Sequence, residues 1–170
     1  MKTILYMATS INGYITNGDN DSDWVTKTDW KQFDKLLRVS GVIVMGKHTF
    51  EQFGEDFPVN GAFNIVMTHD PQLLKNSIPN KALFTDKSPK EVLALVEKKG
   101  FTQMMLIGGM TLNTAFMQEH LINEIWLSVH PYFIGEGKTL MKSFPAFEKL
   151  KFLGSTELEE GLVQLRYKVL

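Results

Sequence analysis

The chain has 170 residues, of which 44% are hydrophobic and 22% charged, and 18 basic against 19 acidic side chains leave a formal net charge of -1. That balance excludes the basic footprint of a nucleic-acid binder. The absence of cysteine excludes a disulfide framework and a thiolate metal site, and no apolar run reaches the ~20 residues of a membrane span.

Residues 3–8 form a short apolar run and predict a buried first strand. Its beginning imitates the apolar region of a signal peptide, but Thr9, Ser10 and Asn12 break it early, and Asn12-Gly13 predicts a turn. A cytoplasmic protein with one domain over residues 1–170 is the expectation. Residues 12–23, rich in Gly, Asn and Asp, predict a loop. Thr28 is the expected cap of a helix whose Trp30, Phe33, Leu36 and Leu37 fall on one face. Residues 42–45 and 63–67 are short and β-branched and predict strands, with another over 82–84. Ser88, Pro89 and Glu91 supply the N-cap, N1 and N3 positions of a helix that Gly100 terminates. A strand over 104–107 ends at Gly108-Gly109, and Leu112, Ala115 and Phe116 mark one face of the next helix. A strand over 125–129 follows, and 150–170 reads as two strands joined near Glu159-Glu160-Gly161. The pattern predicts an α/β fold with a mostly parallel central sheet flanked by helices and a C-terminal antiparallel hairpin.

Familiar signatures are imitated but not met. Gly137-Lys138-Thr139 resembles the end of a phosphate-binding P-loop, yet Tyr132 stands where that loop needs its first glycine. Asp19, Asp21 and Asp23 imitate a calcium loop, but Trp24 and Trp30 replace its glycine and closing glutamate. The four histidines have no ligand spacing, so no metal site is expected, and neither G-x-S-x-G nor G-x-G-x-x-G occurs.

Two junctions remain where a strand ends in glycine and a helix begins: Met45-Gly46-Lys47-His48-Thr49 and Ile107-Gly108-Gly109-Met110-Thr111. In an open α/β sheet, ligands collect beyond the carboxyl ends of strands, where helix starts offer unpaired N–H groups to anions. A dipole adds only about 0.3–1 kcal/mol at an exposed site, so Lys47 and Thr49 must supply much of the grip. Two such junctions facing one another would clamp a diphosphate. Turn geometry with a solvated Lys47 is the plain alternative.

These residues resemble the dihydrofolate reductase superfamily over nearly the whole chain. VIVMGKHTFEQFG resembles its V-I-M-G-R-x-T-[WF]-E-x-[IF]-G segment, with Lys47 where arginine is usual. FNIVMTHD resembles N-I-V-L-[ST]-x, and MLIGGMTLNTAF resembles I-G-G-x-x-[LIV]-[YF]-x-x-[AF]. ATSINGYI and the stretch His130-Pro131 with Ile134-Gly135-Glu136-Gly137 are closer to the branch that holds the reductase domain of riboflavin biosynthesis.

The resemblance implies NADPH as cofactor. Ala8, Ile15 and Ile107 would flank the nicotinamide. Gly46, Thr49, Gly109, Met110 and Thr111 would surround the diphosphate, with His48 and Leu112 in the same two junctions. Lys47, Thr68 and His69 would face the 2′-phosphate, and Gly108-Gly109 would be joined by a cis peptide. On the substrate side, Asp29 is similar to the family's pocket carboxylate and is the catalytic candidate; a carboxylate at a helix start also serves the dipole alone. Asn12, at the aspartate position of an S-L-D-G segment, Trp24, five residues before Asp29, and Glu136 complete the expected substrate side. Ala62 occupies the place of the arginine that anchors folate's carboxylate, which argues against folate.

The implied activity is NADPH-dependent hydride transfer to a C=N or C=O carbon of a small heterocyclic or phosphoribosylamine-like substrate, as in 5-amino-6-(5-phosphoribosylamino)uracil reduction. Dihydrofolate reduction proper and a non-catalytic NADPH-binding module are the alternatives. The polar loop over 16–23 is a candidate lid. The branch also implies a homodimer; the charge balance and the lack of a long apolar run leave neither nucleic acid nor membrane as an expected partner.

Overall fold

A computed structural model describes residues 1–18 and 21–170; Asp19 and Asn20, which belong to the calcium-loop imitation and to the expected lid, lie outside them. Strand β1 (Lys2–Ser10) leads by a long loop to helix α1 (Lys27–Ser40). Then come β2 (Val42–Gly46), α2 (Lys47–Phe53), β3 (Phe63–Met67), β4 (Ala82–Thr85), α3 (Pro89–Lys98), β5 (Gln103–Leu106), α4 (Met110–Gln118) and β6 (Glu124–His130). The hairpin of β7 (Leu150–Glu157) and β8 (Val163–Val169) closes the chain.

One eight-stranded sheet runs in the order β4-β3-β2-β5-β1-β6-β8-β7. The first six strands are parallel, and the hairpin joins β6 antiparallel through β8. Period-two alternation sends successive side chains to opposite faces. Ile43 and Met45 pack with Phe33, Leu36 and Leu37 of α1 on one face. Val42 and Val44 pack with Val92 and Val96 of α3 and with Phe116 and Met117 of α4 on the other. β7 is exposed along most of its length, with Phe152 and Leu153 in the open. Among the described residues no helix is long and apolar enough to cross a membrane.

Helix α1 starts earlier than the sequence suggests. Thr26, not Thr28, caps it, accepting a hydrogen bond from the Asp29 N–H; Thr28 is buried inside the first turn. Two hydroxyl residues in this stretch satisfy the capping pattern, and only tertiary packing chooses between them. The capping box of Ser88 and Glu91 forms as expected. The tight turn Glu159–Gly161 joins the last two strands.

The 131–141 connection doubles back over the loop that follows β1. The Ile15 N–H donates to the Lys138 carbonyl at 2.7 Å, the Leu140 N–H to the Gly13 carbonyl at 3.2 Å, and the Asn113 side-chain amide to the Leu140 carbonyl at 2.9 Å. This strap fits because residue 137 is glycine: a Cβ there would collide with the Thr16 carbonyl oxygen.

Candidate functional site

β2 and β5 are neighbours in the sheet, so their glycine ends emerge side by side. The Gly46 N–H donates to the Gly108 carbonyl at 2.8 Å, and the Gly108-Gly109 peptide is cis. A Cβ on Gly46 would stand 3.7 Å from both Gly108 O and Gly109 N, and one on Gly109 would stand 3.7 Å from Thr49 Oγ1. The starts of α2 and α4 therefore open on one cleft of about 1760 Å³.

The expected cofactor residues gather there. Ala8 and Ile15 line the cleft on the β1 side, Gly46, Lys47, His48 and Thr49 at the first junction, and Thr68 and His69 after β3. Ile107, Gly109, Met110, Thr111 and Leu112 line it at the second junction. Gly108 stands behind the lining. Its φ of +96° belongs to glycine, and a Cβ on it would meet Met7 Sδ at 3.0 Å.

These groups suit a dinucleotide diphosphate: first-turn N–H groups of α4, the Thr49 and Thr111 hydroxyls, and nearby cations. α2 has only seven residues, so its start carries less dipole than that of a long helix. Lys47 is not free. Its Nζ lies 2.8 Å from Asp70 Oδ2 and 3.8 Å from Glu51 Oε1. The hydrogen bond that Lys47 donates to Asp70 raises the Lys47 pKa, and the same bond holds Asp70 below the usual carboxylate range. A 2′-phosphate at Lys47 would thus compete with a carboxylate already in place.

Asp29, at the third position of α1, lines the cleft while only 3% exposed. Its Oδ1 accepts a 2.6 Å hydrogen bond from Tyr6 Oη. Tyr6 points to the α1 face of β1 by the same alternation that directs Ile4. Since its single proton faces Asp29, the Ser128 hydroxyl 3.3 Å away must donate to Tyr6. Burial, and then the Asp29 charge, push the Tyr6 pKa far above the ordinary tyrosine value. His130, fully buried, accepts from the Thr26 N–H at 3.3 Å through Nε2 and donates from Nδ1 to the Ser128 carbonyl. It thereby holds the cap of the helix that carries Asp29.

Three expected substrate residues do not line the cleft. Asn12 is occupied in the strap: its Nδ2 donates to the Ile134 carbonyl at 2.7 Å, and its Oδ1 accepts from the Ser10 hydroxyl and the Ile134 N–H. Trp24 stands edge-on to His130 and Tyr132, at centroid distances of 5.1 and 6.2 Å. Glu136 is exposed on the strap. Each lies near the cleft in sequence, but its side chain goes to strap geometry, loop packing or solvent.

Sequence reasoning missed Tyr6, Lys138 and the 85–89 segment, all of which line the cleft. A tyrosine in a buried strand must find a partner for its hydroxyl, and that signal was available. Lys138 stood inside a rejected motif; only the strap's return over Ile15 brings it here.

Residues 1–164 match the model of the RibD C-terminal domain family. In an alignment that covers 98% of this chain and 94% of the other, the chain is 26% identical to the uncharacterised protein YyaP of Bacillus subtilis (strain 168). It superposes with a TM-score of 0.80 on the putative riboflavin biosynthesis protein of Shewanella sp. PV-4, at 24% identity, covering 100% of this chain and 99% of that one. A diaminohydroxyphosphoribosylaminopyrimidine deaminase/5-amino-6-(5-phosphoribosylamino)uracil reductase of Thermotoga maritima gives 0.81 at 12% identity, over 99% of this chain and 56% of that longer one. At these identities the two structural likenesses establish the fold.

Proposed function

The chain belongs to the RibD C-terminal domain family, and on that premise we propose that it is an NADPH-dependent reductase acting on a C=N or C=O carbon of a small heterocyclic substrate. The observation that carries this reading is the direct contact of the Gly46 and Gly108-Gly109 junctions at the head of one cleft. Bound NADPH would supply the hydride. The chain's part is to hold and align. Thr49, Thr111 and the first turn of α4 grip the diphosphate, and Ala8, Ile15 and Ile107 flank the ring. Asp29, fixed by Tyr6 and by the start of α1, holds substrate N–H groups and bears on the proton that reduction requires.

A thermal-shift titration with NADPH and NADH tests the cofactor, because a ligand of the folded state must stabilise it. NADPH should raise the midpoint well below millimolar concentration, and indifference to both nucleotides discards the reading. Loss of 340 nm absorbance across carbonyl, imine and dihydropterin panels tests turnover. Cofactor binding with no turnover on any panel would instead support a nucleotide-binding module.

A further inference from the structure

We propose that His130, which does not itself line the cleft, is a positioning residue for Asp29; the inference rests on the reductase reading above. Five residues from three parts of the fold close a ring of hydrogen bonds: Tyr6 on β1, Thr26 and Asp29 at the start of α1, and Ser128 and His130 on β6. His130 Nδ1 donates to the Ser128 carbonyl at 3.0 Å, and the Ser128 hydroxyl donates to Tyr6 Oη at 3.3 Å. The Tyr6 hydroxyl donates to Asp29 Oδ1 at 2.6 Å, and the Asp29 N–H to Thr26 Oγ1 at 3.4 Å. The Thr26 N–H returns the circuit to His130 Nε2 at 3.3 Å. Each residue gives one bond and takes one, so donation runs round the ring in a single sense.

That sense is forced at the imidazole. A backbone N–H can only donate and a backbone carbonyl only accept, so Nε2 must be bare towards Thr26 and Nδ1 must carry the proton towards Ser128. Trp24 stands edge-on to the imidazole and Tyr132 stacks on it, which limits its rotation. Tyr6, Asp29, Ser128 and His130 are all buried, so water offers these bonds little competition.

The ring decides how Asp29 is presented. Tyr6 occupies Oδ1, and among the described residues no hydrogen bond reaches Oδ2, which leaves that oxygen to the cleft its residue lines. At its other end the Asp29 N–H is tied to the cap residue that His130 holds from behind. Without His130 the Thr26 N–H loses its acceptor, the cap is free to shift, and the carboxylate moves with the first turn of α1. A reacting group misplaced by about 1 Å can lose on the order of 100-fold in rate, so a residue outside the cleft can govern turnover without touching substrate or cofactor. The glycine junctions proposed to hold the diphosphate belong to β2 and to the β5–α4 connection, away from this ring.

The experiment uses the full chain. Nitrogen–proton NMR correlations of isotope-labelled imidazoles in the parent should show His130 protonated at Nδ1 and bare at Nε2, its signal assigned by loss in His130→Gln. A proton on Nε2 overturns the ring before any variant is asked to fold. His130→Phe keeps a flat ring between Trp24 and Tyr132 but removes both bonds, whereas His130→Gln can still accept from the Thr26 N–H. With the carbonyl, imine or dihydropterin that the parent reduces, kcat should fall about thirtyfold or more in His130→Phe and only about threefold in His130→Gln. The KM for NADPH and the NADPH-induced thermal shift should hold in both, a split that general loosening of the fold does not produce. Should His130→Phe fail to fold, Ser128→Ala opens the same ring and should lower kcat by about threefold or more. Parental kcat in the ring-opening variant overturns the inference, as does equal loss in His130→Phe and His130→Gln or a loss that falls on NADPH binding; each leaves the reductase reading standing. A parent indifferent to NADPH, or one that binds it and reduces no panel member, removes that reading and this inference together.

Discussion

The Tyr6 hydroxyl donates to Asp29 Oδ1 across 2.6 Å, joining the central strand β1 to the first turn of α1 at the wall of the cleft. Tyr6 is 4% exposed and Asp29 3%, so neither partner has bulk water as a substitute. Hydrogen bonds to a charged group contribute about 1.5–3 kcal/mol, and Tyr6→Phe should cost about that much stability near neutral pH. Chemical denaturation measures it, and a loss below about 0.5 kcal/mol would remove the pair from the account of α1 placement.

The same pair predicts an alkaline limit. Burial and the Asp29 charge raise the folded-state pKa of Tyr6 above the unfolded value of 10.0. Above that value the unfolded chain releases a proton that the folded chain keeps. The contribution is therefore intact below about pH 10 and is lost as pH rises beyond it, at about 1.4 kcal/mol per unit. Tyr6→Phe should show a shallower alkaline decline than the parent between about pH 10 and 11. Parallel curves would mean that Tyr6 ionises in the folded protein as readily as in the unfolded one.

For Asp29 the decisive substitution is Asn, which keeps the shape and still offers Tyr6 a carbonyl oxygen. Given the proposed role in holding substrate and bearing on proton delivery, turnover should fall about 10²–10⁴-fold. The NADPH-induced thermal shift should stay unchanged, because the glycine junctions proposed to grip the diphosphate are untouched. A variant with parental turnover would reduce Asp29 to a helix-start carboxylate.

On the proposed reading, Lys47 and Asp70 should oppose each other in cofactor choice. Lys47→Ala should weaken NADPH by about tenfold or more while sparing NADH, as expected for loss of a charge-assisted contact to the 2′-phosphate. Asp70→Asn should act in the other direction, releasing an ammonium now held at 2.8 Å and removing a carboxylate from beside the phosphate. If Asp70→Asn tightened NADPH and NADH alike, or neither, Lys47 would not be the phosphate contact.

How far the sequence carried the reading follows from the range of each interaction. Local signals were legible: the capping box at Ser88 and Glu91, the β-branched strands, the glycine junctions and the closing hairpin all depend on neighbours within a few residues. The likeness of three ordered motifs to the dihydrofolate reductase superfamily then supplied the topology, including the cis link at Gly108-Gly109. What escaped notice was long-range. Tyr6 meets Asp29 23 residues away, and Asn12 is consumed by Ile134, 122 residues away. Lys47 gave a cation to the sequence reader, but its carboxylate partner lies across the β2–β3 crossover. No periodicity of 2 or 3.6 residues encodes such pairs.

The strap offers an internal control for the architecture of the cleft. Gly135 and Gly137 stand two residues apart in the same connection, yet their surroundings differ. A Cβ at Gly135 would find nothing within 4 Å, whereas one at Gly137 would run into the Thr16 carbonyl, a backbone atom that cannot swing aside. Gly135→Ala should therefore change stability by no more than about 0.5 kcal/mol, and Gly137→Ala should cost about 1–3 kcal/mol through overpacking. The larger effect should reach the cofactor. Pushing residue 137 away from Thr16 disturbs the Lys138 carbonyl that receives the Ile15 N–H, and Ile15, Thr16 and Lys138 all line the cleft. NADPH affinity should fall in Gly137→Ala and hold in Gly135→Ala, as read by thermal shift with and without nucleotide. Equal affinities in the two variants would show that the strap's approach to the loop after β1 is a feature of folding alone and does not shape the end of the cleft proposed to hold the nucleotide.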